Sequence, residues 1–241
     1  MIAAMPIVGV TLRGLLGRRR TLLMILLVAL PILVSLLVGV TGGEIDSDAL
    51  LDAMIVRTVL PLVALVFGTA ALGSELEDGT AVFLMIKPIP RWRILGAKMV
   101  VAAGLTVALI LPSTLVSGLL AGGTGSAALA TTFAFTLAAS VGGIAYVCAF
   151  VALSTFTTRA LVVGLGYTMI WEGVLAGLLE GTRFLSIRQA TLGIAAGLDE
   201  PRFGETPLDF GLSVTIVAVV IVGAFVLGSL RLARFEIRGG D

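Results

Sequence analysis

The stretch GSELEDGTAVFLMIKPIPRWRILGAK, residues 73 to 98, places three acids, four bases and two prolines in a chain that is otherwise oily. Of the 241 residues, 58% are hydrophobic and 13% are charged, against about 25% charged in an ordinary soluble domain. The mean hydropathy is +1.13. The chain therefore belongs in a bilayer, and the charged stretch belongs at its edge, joining two apolar runs. Which edge it faces, and what covers its apolar middle, decide how the rest is read.

A helix crosses a hydrocarbon core in roughly 20 apolar residues, so long charge-free runs read as spans. Six are expected: 21–40, 54–73, 99–121, a stretch within 126–158, 160–179 and 211–230. The fourth run is too long for one straight helix of ordinary length and too short for two with a turn. We read it as one long helix, with Gly142 and Gly143 as the place for a break.

Lys and Arg near span ends stay in the cytoplasm, and alternate connections differ sharply in them. Arg13, Arg18, Arg19 and Arg20 precede the first span, Lys87, Arg91, Arg93 and Lys98 lie in the second connection, Arg159 in the fourth, and Arg231, Arg234 and Arg238 follow the last. The opposite set holds Glu44, Asp46, Asp48 and Asp52, then a net acidic segment at 180–209, and only Arg57, Arg183, Arg188 and Arg202 as bases. The fold expected is an all-α integral membrane protein of six spans with both termini cytoplasmic. Residues 73 to 98 then face the cytoplasm.

Before the first span, Met5, Val8, Leu12 and Leu15 recur at helical spacing, with arginines at the depth of lipid phosphates. Residues 1–20 are read as an amphipathic interfacial helix, retained in the mature chain because no cleavage site closes the following apolar run. Residues 21–241 form the six-span domain, with a cytoplasmic loop at 74–98 and an outer interfacial segment at 180–209, whose Phe184, Ile187, Leu192, Ala195 and Leu198 recur helically.

Within the loop, Glu75, Glu77 and Asp78 suit the positive end of a short helix, and the mostly apolar run 80–86 follows. Pro88 ends it, and with Pro90 it enforces an extended corner before a helix that starts at Arg91. A solvated loop has no use for Val82, Phe83, Met85 and Ile86, and a lipid-buried helix does not hold three acids at one end. Two coverings satisfy this physics: another protein, or lipid headgroups with Trp92 as an aromatic anchor.

The stretch resembles the first cytoplasmic loop of type-2 ABC transporter permeases, the family that includes ABCG-like exporters. Their pattern is an acid, Gly-Thr, a short apolar helix, Pro-Ile, Arg and a later Lys; here Glu75, Gly79 and Thr80, Leu84, Pro88 and Ile89, Arg91 and Lys98 match in order. The resemblance implies a coupling helix that docks in a groove of a separate cytoplasmic ATPase subunit, which would bind the ATP and Mg. Glu75, Gly79, Thr80, Val82, Phe83, Leu84, Ile86, Pro88 and Arg91 are then the coupling residues. It also implies a second permease copy, with the second and fifth spans lining the path between them, which puts Tyr167, Trp171 and Glu172 on the substrate path.

The chain itself contains no G-x-x-x-x-G-K-[ST], so no bound nucleotide or other cofactor is expected. With no histidine and one cysteine, Cys148, metal sites built on those ligands, intrachain disulfides and His-based catalysis are excluded. A net charge of +1 without basic, aromatic-interleaved patches argues against a nucleic-acid partner.

Glu172 lies within the fifth span, where a charge costs on the order of 2.5 to 3.5 kcal/mol and so faces protein or water. Three roles are open to it: pairing with Arg57, contact with cargo, and proton coupling. Pro31, Pro61 and Pro112 are kink candidates, and most glycines read as packing. The function expected is the permease subunit of an ATP-driven exporter of amphiphilic, lipid-like or drug-like molecules in the cell membrane. A gradient-driven secondary transporter centred on Glu172 is the alternative; an intramembrane enzyme and a non-transporting scaffold are weaker rivals.

Overall fold

The computed structural model describes residues 9, 11–12, 14–41, 46–77, 90–175, 180–199 and 208–233. All its regular structure is helical. In chain order the helices are α1 (Arg18–Thr41), the short α2 (Ser47–Leu50) running through a π-helical stretch (Leu51–Val59) into α3 (Leu60–Glu77), α4 (Arg91–Gly122) and α5 (Ser126–Phe156). Then come α6 (Ala160–Gly166) with a second π-helical stretch (Tyr167–Leu175), a 3₁₀ turn (Glu180–Leu185), α7 (Ile187–Leu198) and α8 (Phe210–Ala233). Among the described residues five helices are long and apolar enough to cross a membrane: α1, the Ser47–Gly73 run, α4, α5 and α8. The fifth expected span corresponds to a shorter apolar helix, Ala160–Val174.

α5 is the centre of the bundle and packs on α3, α4, α7 and α8. It is unbroken at Gly142 and Gly143. Those glycines serve close approach instead: a Cβ at Gly142 would sit 2.1 Å from Thr191 Oγ1, and one at Gly143 would sit 3.1 Å from Leu60 Cδ1. Around it, Leu60, Ile110, Phe135, Tyr146 and Val151 are fully enclosed, and Tyr146 stacks on Phe150 with ring centroids 5.9 Å apart. By contrast α1 and α8 bury little of themselves and present Leu, Val and Ile outward, as helices facing lipid do.

The prolines act locally. Pro31 has no N–H for the helix ladder, and the nearby Val28 carbonyl also accepts Ser113 Oγ from α4 at 2.8 Å. Pro61 follows the first π-helical stretch by two residues. Its ring would clash with the carbonyl four residues earlier in a tight helix, and a widened register there relieves that clash.

Three expectations need correction. Glu75 and Glu77 belong to the last turn of α3 and do not open a new short helix. The reason is that α3 runs on past the apolar span, and the wholly buried Lys98 braces its final part, donating from Nζ at 2.6 Å to the carbonyl of Ala71, which lies before that last turn. Second, α7 does not lie on the surface as an interfacial helix; Ile187 through Ala195 are buried, fitted against Gly142 of α5 and Ser213 of α8. Third, the helical turn ahead of α1 is not wholly interfacial, because Thr11 and Leu15 are buried against the bundle while Leu16 is exposed. Met5 and Val8 lie outside the described residues.

Gly142→Ala places a methyl group on Thr191, and overpacking of this kind costs about 1 to 3 kcal/mol. A lowered thermal unfolding midpoint in detergent is expected, restored largely by adding Thr191→Gly; equal loss in the single and double variants would refute the contact.

Candidate functional site

The features expected to carry function lie at opposite ends of the bundle. At one end, Gly79, Thr80, Val82, Phe83, Leu84, Ile86 and Pro88 fall outside the described residues, as does the side chain of Glu75, whose backbone is in α3. Arg91 is described, and it points inward along the bundle. From the first turn of α4 its Nη1 donates to Leu232 O at 2.6 Å and Ala233 O at 2.9 Å, in the last described turn of α8. A helix C-terminus leaves carbonyls without partners and carries partial negative charge, so a guanidinium there satisfies both.

Arg91 sits in the first turn of α4, where the helix's own dipole disfavours a cation, and Lys98 lies further along, wholly buried. Each donates to another helix, Arg91 to the last described turn of α8 and Lys98 to Ala71 O within α3. The first turns of α4 thus hold both α8 and α3. Leu95 and Gly96 reinforce the α8 contact, lying against Gly228 and Phe225. Trp92 is exposed, with the Arg93 guanidinium 5.1 Å from its ring centre. Between α1, α3 and α6 near this end is a cavity of about 110 Å³, apolar along Val66, Ala70 and Leu161 and bordered by Arg20.

At the other end, Tyr167 and Glu172 are brought together by the π-helical register. Positions five apart are about 140° round an α-helix but bond on adjacent turns of a π-helix. The Tyr167 hydroxyl donates to Glu172 Oε1 at 2.8 Å. Glu172, 3% exposed, also accepts the backbone N–H of Ile187 at 2.9 Å and the Ser186 hydroxyl. Its carboxylate therefore faces the N-terminus of α7, which favours negative charge. The pairing with Arg57 is not formed, since Arg57 is exposed. Trp171 is half-buried and donates from Nε1 to Leu185 O at 3.4 Å. The Tyr146 hydroxyl, fully buried, lies in the field of Glu172 without a hydrogen bond of proper geometry among the described residues.

Beside this cluster, Arg188 of α7, 2% exposed, pairs with Asp52 of the first π-helical stretch at 3.2 Å. Neither Ser186 nor the Asp52–Arg188 pair was expected from the sequence. The signal for the first was legible: Ser-Ile-Arg-Gln has the S-x-x-Q form of a helix N-terminus, and Ser186 Oγ indeed accepts Gln189 N–H at 3.0 Å. The pair had no such signal, because its partners are 136 positions apart.

Long apolar helices packed round a central one, with polar clusters at both ends, define a multi-pass helical membrane protein. The model of the ABC-2 family transporter proteins matches residues 16–173, more than half of the chain, including the 74–98 stretch and Glu172. The chain belongs to this family of type-2 ABC transporter permeases, which are membrane transport components and not themselves nucleotide-binding enzymes. No curated protein matches the chain significantly.

Asp52→Ala leaves the Arg188 guanidinium buried and unpaired, which costs about 3 to 5 kcal/mol. Thermal unfolding should show a large loss for that variant and a small one for Asp52→Leu with Arg188→Met. Equal losses would mean that the pair is not a unit.

Proposed function

We propose that this chain is the membrane subunit of an ATP-driven exporter in the cell membrane, with both termini cytoplasmic. It works with a second permease copy and two cytoplasmic ATPase subunits, which bind and hydrolyse the ATP and hold its Mg. The carrying observation is family membership together with the acid, Gly-Thr, Pro-Ile, Arg and Lys pattern between the second and third membrane helices. Residues 74–98 are the docking and coupling element, and Phe83 with its apolar neighbours is the surface that the ATPase covers.

The contacts beyond the loop support this reading. Residues 78–89 lead directly into α4, whose first two turns hold α8 through Arg91 and α3 through Lys98. A push on the loop is thereby delivered to three membrane helices at once, since packed helices shift as bodies. Arg91 serves this reading as an internal link between coupling loop and bundle. The cargo class is amphiphilic or lipid-like: the cavity beside Arg20 offers one cation above apolar walls. The secondary-transport alternative gains nothing from Glu172, whose oxygens accept three neutral donors with no basic partner among its hydrogen bonds.

A tagged chain purified from its native membrane should bring with it an ATPase carrying a phosphate-binding loop. Phe83→Asp is expected to abolish that co-purification while insertion is unchanged. Undiminished co-purification would overturn the docking role, and transport that persists without ATP but collapses with an uncoupler would overturn the reading as a whole.

A further inference from the structure

The two π-helical stretches lie at the same end of the bundle and touch the same turn of α7, yet they are held there in different ways. Leu51–Val59 is held by packing: Leu51, Ile55, Val56 and Val59 are fully enclosed, and the Asp52–Arg188 pair is added to that. Tyr167–Leu175 is not. Met169, Ile170, Gly173 and Val174 are exposed, Tyr167 and Trp171 are half-buried, and the only enclosed side chains described in the stretch are Thr168 and Glu172. Thr168 spends its hydroxyl on its own helix, at Leu165 O. Among the described residues, Tyr167 packs partly on the core, and the rest of the link is polar, made by Glu172 to Ser186 and Ile187 and, more weakly, by Trp171 and Tyr167 to Leu185 O.

α7, in contrast, belongs to the fixed body. Its Thr191 and Gly193 fit against Gly142 of α5 and Ser213 of α8 too closely to slide. We propose that Glu172 is a latch: it fastens the stretch Tyr167–Leu175 to the closely packed first turn of α7 chiefly by hydrogen bonds, with Tyr167 alone of its described side chains packed on the hydrophobic core, so that this half-helix is the releasable part of that end of the bundle. The physical basis is the difference between the two forms of attachment. Packing is lost only by opening a cavity or exposing apolar surface. Hydrogen bonds to a carboxylate need no such loss where water reaching that end of the bundle, or a polar group of the cargo, takes the place of the donors. Apolar residues 169, 170, 173 and 174 already face outward, so their surroundings need not change when the latch opens. The inference concerns the isolated chain and does not depend on the ATPase or on the identity of the cargo.

The test uses spin-label pairs in the full chain reconstituted in lipid nanodiscs, with Cys148→Ser as background and labels at exposed positions. One pair, Val174 and Leu198, reports the half-helix against α7; the other, Ala53 and Leu198, reports the packed stretch against α7. Glu172→Leu keeps an apolar side chain of similar size and removes the acceptors, and Ser186→Ala removes one donor. Both variants are expected to broaden and lengthen the 174–198 distance distribution, Glu172→Leu more than Ser186→Ala, while the 53–198 distribution keeps its width. A 174–198 distribution that stays narrow in Glu172→Leu would overturn the latch, because packing would then be holding the half-helix. Equal broadening of both pairs would also overturn it, because Glu172 would then support the whole end of the bundle.

Discussion

Inside hydrocarbon no water is at hand to satisfy a polar group, so every buried donor and acceptor must find its partner within the chain. The arrangement of the bundle follows from how this chain meets that demand at its two ends. At one, Arg91 of α4 donates to carbonyls in the last described turn of α8, and the buried Lys98 of α4 donates to Ala71 O of α3. At the other, two carboxylates on membrane helices, Asp52 and Glu172, are met by three successive residues of α7, Ser186, Ile187 and Arg188. Between these ends the packing is apolar, tight where glycine permits and open where α1 and α8 face outward.

Each polar cluster joins elements far apart in sequence, and so each is a joint of the molecule. The α4 cluster makes one body of three helices, which suits the coupling role proposed for the neighbouring loop. The α7 cluster is asymmetric, with a packed helix on one side and a lightly packed one on the other. π-Helical geometry recurs on both sides of it, and such stretches are uncommon and concentrate where helices carry function. In the shorter apolar helix that register is what lets Tyr167 and Glu172 meet.

Family membership fixes the class of machine, a permease that does not bind nucleotide itself. The chemistry of Glu172 refines the picture of the bundle. A lone acid in an apolar run invites a role in proton or cargo binding, but here its oxygens are already occupied by a tyrosine, a serine and a helix N-terminus. Its observed role is structural: it ties the Tyr167–Leu175 stretch to the start of α7.

The sequence by itself determined that the chain is helical and membrane-embedded, where most spans run, and that α4 starts at Arg91, because hydrophobic length and proline act on local backbone. The loop motif that carries the family resemblance was likewise legible, since it is contiguous. What only the tertiary structure decided is where isolated polar side chains turn. Arg91 reaches the end of a helix 141 positions away, Asp52 finds Arg188, and α7 sinks into the bundle although its apolar spacing equally suits a surface helix. Periodicity records which face of a helix is apolar but not what will cover it, and a buried charge records only that a partner is needed; the fold chooses the partner.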